Sequence, residues 1–172
     1  MESTSIPGLR LPALLALCLL ARSAEPPRTV FLVRHAERAG GMSADAGITE
    51  AGRCRAETLA RMLAGAGVKA IYVTEAARTQ QTAEPLAKKL GIHPTAIAAA
   101  DVDGLLARLR AREPGNVLVV AHAATLPDIV KRLGGGAVPP VADDEYDRLY
   151  VVTLTGPGEA SLAALRYPGC AP

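Results

Sequence analysis

The sequence predicts an α/β fold of three layers, a mainly parallel sheet with flanking helices on both faces, and two observations carry that expectation. Apolar, β-rich runs alternate along the chain with segments of helical composition, the pattern of a sheet covered by helices. The runs VFLV at 30–33 and VLVVA at 117–121 lack the in-and-out alternation of a half-exposed strand, so each is expected to be buried on both faces. Each run also stops at a histidine, His35 after Arg34 and His122 after Ala121. Ligands of such sheets bind in the crevice outside the carboxyl ends of the strands, so position alone makes these residues candidates for a site.

The elements follow in order. A strand at 29–34 is followed by a Gly-, Ala-, Ser- and Asp-rich loop at 39–47, beside the expected site. Thr49 opens a helix to about residue 64, with Ala56, Leu59, Ala60 and Leu63 at helical spacing and Gly65 and Gly67 as its stop. VKAIYVT at 68–74 is the second strand and leads into TEAARTQQTAEPLAKKL, where Arg78 and Thr79 fall at the start of a helix ended by Gly91. Unpaired N–H groups at such a start favour an anion. His93, before Pro94, reads as a solvated loop histidine. A helix at 101–112 is capped by Asp101 or Asp103 and closes before Pro114. Residues 126–133 form a helix with Pro127 in its first turn. Strands at 149–155 and 163–167, joined by a turn at 156–158, complete the sheet.

With 172 residues, 49% hydrophobic and 21% charged, the chain has the material for one globular core. A net charge of +2, four Tyr, one Phe and no Trp argue against nucleic acid or an acidic membrane as partner. A small anionic ligand, by contrast, needs only a local cluster of arginines. Residues 1–24 are set apart from the domain at 25–172. The run LPALLALCLLA at 11–21 follows Arg10, is too short to span a bilayer, and ends in small residues and a proline pair. That is the pattern of a secretory signal peptide, so the product is expected to be exported, periplasmic or extracellular. Cys54 in a helix and Cys170 in a Pro/Gly-rich tail have nothing local to bring them together and are read as free thiols.

Three strand-to-helix junctions thus deliver Arg34 with His35, then Arg78, then His122 to one edge of the sheet. Two guanidinium groups stay charged and offer forks of donors suited to phosphate oxygens. A neutral imidazole is a nucleophile near neutral pH, and a second one can donate a proton to a charged oxygen. The set suits phosphoryl transfer through a phosphohistidine, with charge neutralised by side chains and no metal or cofactor expected. A three-histidine metal site through His93 is disfavoured, since no helical His pair exists and two arginines would repel the cation.

The runs VRHAE, TEAARTQQTAE and VVAHAATLP resemble, in that order and spacing, the three motifs of the histidine phosphatase superfamily, the phosphoglycerate mutase-like fold, in its small single-domain form. ITEAG at 48–52 resembles the family segment reading Leu-Thr, two variable residues, then Gly. The resemblance covers residue 29 to about residue 167. It implies that His35 is the residue that becomes phosphorylated and that Arg34, Arg78 and His122 form the phosphate pocket. Glu37 and Thr79 complete the expected substrate-binding set. Ala36 and Ala121 stand where the family usually has glycine, Thr74 where serine is frequent, and Ala123 and Ala124 where relatives of this type carry polar residues. The proton donor to the leaving group is expected to be Asp101, ahead of Asp103, Glu37 and Asp128. The expected activity is hydrolysis of phosphomonoesters or phosphohistidine. The alternative is a non-catalytic module that binds a phosphorylated ligand in the same pocket. A mutase is disfavoured, because relatives of that kind are longer.

Overall fold

The computed structural model describes residues 26–40, 45–111, 115–156 and 158–169. The signal-like segment at 1–24 and Cys170 lie outside them. No helix of the described residues is long and apolar enough to cross a membrane. Eleven segments alternate: β1 (Arg28–Arg34), α1 (Glu50–Leu63), β2 (Val68–Val73), α2 (Ala77–Leu90), β3 (Thr95–Ala96), α3 (Val102–Arg110), β4 (Asn116–Ala121), α4 (Leu126–Val130) running into a wider π-type turn (Lys131–Gly135), β5 (Arg148–Gly156) and β6 (Glu159–Arg166). The six-stranded sheet has the order β3-β2-β4-β1-β5-β6.

The three layers are present, and each doubly buried strand divides its side chains between two cores. On one face Val30 and Leu32 of β1 with Val117 and Val119 of β4 pack under Leu105, Leu106 and Leu109 of α3 and Leu126, Ile129 and Val130 of α4. On the other, Val33 with Leu118 and Val120 packs under Leu59 and Leu63 of α1 and Leu86 of α2. The continuous apolar runs in the sequence reflect this sandwiching.

The sheet is mixed rather than mainly parallel. β1 pairs in parallel with β4, as do β2 with β4 and β2 with β3, whereas β5 is antiparallel to both β1 and β6. The reason lies in the connections. Parallel neighbours need a crossover, and helices supply one for β1 to β4, whereas β6 begins at Glu159 so soon after β5 ends at Gly156 that the two can pair only as a hairpin. β6 also starts earlier than expected, at Glu159, because its pairing with β5 continues from Arg148↔Arg166 past a register shift after Leu154↔Ala160 to Gly156↔Glu159. The two-residue β3 was not foreseen, and its residues are exposed.

Cys54 is disulfide-bonded, against the expectation of a free thiol, and its partner lies outside the described residues. Local sequence could not reveal the pairing. The tail returns to α1 over a long distance, with Arg55 Nη1 donating to the carbonyl of Tyr167 at 3.0 Å.

Helix α1 seats the loop that follows β1. Thr49 Oγ1 accepts from Gly52 N at 3.1 Å as its N-cap, and Thr49 N donates to Glu37 O at 2.8 Å. The helix approaches so closely that a Cβ on Gly52 would stand 2.7 Å from Glu37 O and 2.9 Å from Ile48 Cβ, which explains the glycine of the ITEAG segment. Gly52→Ala is therefore expected to cost about 1–3 kcal/mol through overpacking. Thermal unfolding should show a midpoint lower by roughly 2–4 °C for each kcal/mol; an unchanged midpoint would mean that α1 can shift without cost.

Candidate active site

The central pairing of the sheet brings the two histidines together. β1 and β4 run in register to Arg34↔Ala121, and His35 N extends the ladder by donating to Ala121 O at 3.0 Å. His122 is the next residue after that carbonyl, and the imidazole centroids of His35 and His122 are 5.5 Å apart at an interplanar angle of 64°. His35 Nδ1 lies 2.8 Å from Ala36 O. A carbonyl can only accept, so Nδ1 carries the proton and Nε2 keeps its lone pair. The loop is fixed from α2: Ala36 N donates to Thr82 Oγ1 at 2.9 Å, and that hydroxyl donates to Arg78 O at 2.7 Å.

Burial lowers the pKa of His35 to about 4, aided by the charges of Arg34, Arg78 and His122 and opposed by the Ala36 hydrogen bond. His122, half-buried, is shifted down by burial and by Arg78 and Arg34, with Glu75 pulling the other way. Both rings are thus neutral at neutral pH.

The guanidinium groups have divided roles. Arg34 is buried, and its Nη1 donates to the carbonyls of Ala142, Asp143 and Glu145 at 2.8, 2.9 and 3.1 Å. Its Cζ sits 4.1 Å from the centroid of the Tyr146 ring, a cation–π contact. Its Nε is buried and makes no hydrogen bond, which leaves a donor for an anion. Arg78 comes from the first turn of α2, where no acidic side chain and no side-chain cap intervene. Burial and the nearby charges of Arg38 and Arg34 lower its pKa. Cations crowd here, which favours an anionic ligand.

Of the residues expected from sequence, Arg34, His35, Arg78 and His122 converge, and the others serve the surroundings. Glu37 is held by Arg55, whose Nε lies 2.9 and 3.0 Å from its two oxygens and whose Nη2 lies 2.7 Å from Oε1. Thr79 is fully buried, and its hydroxyl is within 2.8 Å of Ala76 O and 3.0 Å of Thr74 O, which turns it toward its own helix start rather than a substrate. Asp101 caps α3, accepting from Gly104 N at 2.9 Å, and lines a small cavity of about 20 Å³ with Thr74, Ala121 and Thr125. Asp103 and Asp128 both pair with Arg132, and His93 is exposed in its loop.

The structure adds Thr74, Thr82, Arg38 and Tyr146, whose ring centroid lies 6.1 Å from that of His35. In the sequence Arg38 shows only as a further charge after VRHAE, and the acidic stretch at 143–147 reads most simply as a solvated loop that, with Tyr146, lies just before a strand where it could rim the cleft. That stretch is not simply solvated: Glu145 pairs with Arg148 and Arg166, and Asp147 with Arg166.

An α/β fold with paired histidines and arginines at adjacent strand ends defines a class. Residues 30–101 match the sequence model of the histidine phosphatase superfamily (branch 1), the family whose three motifs the sequence resembles. Among solved structures it is similar to SixA from Nakamurella multipartitia, which carries a provisional phosphohistidine phosphatase name. That match has 25% identity and a TM-score of 0.65, and covers 87% of this chain and 100% of the other. The protein histidine phosphatase SixA complexed with tungstate matches at 23% identity and TM-score 0.66, over 80% of this chain and 96% of that one. Mycobacterial glucosyl-3-phosphoglycerate phosphatase shares the fold at 14% identity and TM-score 0.65, over 84% and 100%. No curated protein sequence matches.

The depressed pKa of His35 has a kinetic consequence. Nucleophilic reactivity needs the neutral ring, and a lowered pKa keeps it neutral further into acid. The acid limb of kcat/KM that belongs to His35 is expected near pH 4 rather than near the ordinary value of about 6.5. A pH–rate profile measured down to about pH 3.5 checks this; a nucleophile-dependent fall centred near 6.5 would show that the ring is not desolvated as described.

Proposed function

We propose that the protein is a metal-independent phosphatase that hydrolyses phosphomonoesters or phosphohistidine through a phosphohistidine intermediate on His35. The observation that carries this reading is the Ala36 carbonyl on His35 Nδ1, which leaves the lone pair on Nε2 of a ring that feels the charges of Arg34 and Arg78. Nε2 attacks phosphorus as the bond to the leaving group breaks, and the leaving group departs with its electron pair. Water then attacks the phosphorylated ring, releasing inorganic phosphate and restoring neutral His35. Arg34, Arg78 and His122 hold the non-bridging oxygens, where fixed positive charge and hydrogen bonds stabilise the transition state without reorganisation. These side chains supply the neutralisation that a metal ion supplies in other phosphatases.

The weak point of such a site is protonation of the leaving group. Glu37 is engaged by Arg55 and Asp128 by Arg132. Asp101 lines the small cavity that Thr74 also lines, and it would have to release Gly104 N to act. Substrates whose leaving groups need little protonation, such as phosphohistidine or aryl phosphates, are therefore favoured over alkyl esters. The signal-like residues 1–24 support a place for this activity outside the cytoplasm.

Hydrolysis of para-nitrophenyl phosphate by the purified protein is expected to persist in EDTA and to fall by at least about a hundredfold in His35→Ala. Asp101→Asn separates two roles, because Asn caps a helix as well as Asp does. A selective loss on glycerol phosphate marks Asp101 as the proton donor, and equal rates on both substrates leave it a cap. No hydrolysis by the wild type at any pH between about 4 and 8, a range spanning carboxylate and imidazole titration, would favour the non-catalytic binding module.

A further inference from the structure

Around His122 the hydrogen bonds can be accounted for one proton at a time. Thr79 Oγ1 has one hydrogen and two carbonyls to give it to, Ala76 O at 2.8 Å and Thr74 O at 3.0 Å. It therefore acts toward its remaining neighbours as an acceptor, taking Thr74 N at 3.1 Å and Thr74 Oγ1 at 3.0 Å. The hydroxyl hydrogen of Thr74 is thereby committed to Thr79. Thr74 Oγ1 keeps two lone pairs. One faces Ala76 N at 3.3 Å, and the other faces His122 Nε2 at 3.0 Å. Only an Nε2–H fits there, since an Nε2 lone pair would meet an oxygen lone pair in a buried position.

The opposite side of the ring gives the same answer independently. Arg78 Nη2, which can only donate, lies 3.5 Å from His122 Nδ1, so Nδ1 presents a lone pair. An Nδ1–H there would oppose two donors.

We propose that Thr74 is a positioning residue for the anion pocket: backed by Thr79, it holds the Nε2 proton of His122 and so presents Nδ1, next to Arg78, to the bound phosphoryl group. Because the Nε2 proton is held, Nδ1 is where the ring gains a proton when a phosphate enters, and that proton is then donated to a phosphoryl oxygen. Without Thr74 the Nε2 proton is no longer held, so either tautomer is available and the nitrogen that takes up a proton on phosphate entry is no longer fixed. The threonine at a position where relatives often carry serine keeps the required hydroxyl. This rests on reading the site as a phosphate pocket, and not on turnover.

The test uses protein with 15N-labelled imidazoles, wild type, Thr74→Val and Thr74→Ser, titrated with inorganic phosphate. His122 in the wild type is expected to show a protonated-type Nε2 and an unprotonated Nδ1, with only Nδ1 moving toward the protonated form as phosphate is added. Thr74→Val, which keeps the volume and removes the hydroxyl, is expected to mix the tautomers and weaken phosphate binding about fivefold, the value of one hydrogen bond of average strength. Thr74→Ser is expected to restore both readouts. A wild-type ring protonated at Nδ1 without phosphate, or a Thr74→Val protein with unchanged nitrogen shifts and phosphate affinity, overturns the proposal. Phosphate that leaves every His35 and His122 nitrogen unmoved overturns the pocket reading itself. If Thr74→Val fails to fold, the wild-type tautomer alone decides.

Discussion

The parallel ladder between β1 and β4 is the constraint on which the site depends. Its register ends at Arg34↔Ala121, and the next amide, His35 N, still donates to Ala121 O. Two strands far apart in sequence thus end at the same level, and the residue that follows each is a histidine. Both strands are buried on both faces, so their register cannot slip by one residue without turning apolar side chains out of one core and into the other. The 5.5 Å separation of the imidazoles is in this sense fixed by the packing of Val30, Leu32, Val117 and Val119 beneath α3 and α4, and of Val33, Leu118 and Val120 beneath α1 and α2.

Arg34 couples that ladder to the far side of the cleft. A buried guanidinium is costly unless its donors are satisfied, and here three backbone carbonyls of the segment at 142–145 accept from one of its nitrogens while the Tyr146 ring covers its face. The same contacts fix the plane of the group, which leaves Nε for an anion. Arg148 and Arg166 both pair with Glu145 of that segment, so a stretch without regular structure is nonetheless tied at several points. Arg34, Arg38 and Arg78 repel one another across the cleft, and a bound dianion relieves that repulsion. In the proposed reaction, affinity for the phosphate and the cost of assembling the cations are two sides of one arrangement.

Much of this was legible in the sequence because it rests on local signals. Doubly buried strands show as uninterrupted Val and Leu, helix α1 shows its Thr49 cap and its apolar spacing, and Arg34, His35, Arg78 and His122 fall at strand ends or at a helix start, where a one-dimensional reading can find them. The antiparallel entry of β5 was missed, because strand direction is set by what precedes a strand and not by its composition. The disulfide of Cys54 and the return of the tail to Arg55 were missed for a related reason: both are long-range contacts with no local signature. Thr79 and Glu37 stood at the right place in their motifs, but whether a polar group faces a ligand or a neighbouring backbone is decided by packing. Thr74 was noticed as a departure from a serine, yet its role emerges only from the buried hydrogen bonds around His122.

The most direct measurement is capture of the intermediate. The wild-type protein, mixed with a reactive phosphoryl donor, quenched in alkali and digested, is expected to yield one phosphorylated peptide containing residues 34–37, with the modification on His35. The label should have the acid lability and alkali stability of a phosphoramidate, and it should be absent from His35→Ala. Turnover without any labelled peptide, or a label that persists at another residue in His35→Ala, would contradict the assignment of His35 as the nucleophile.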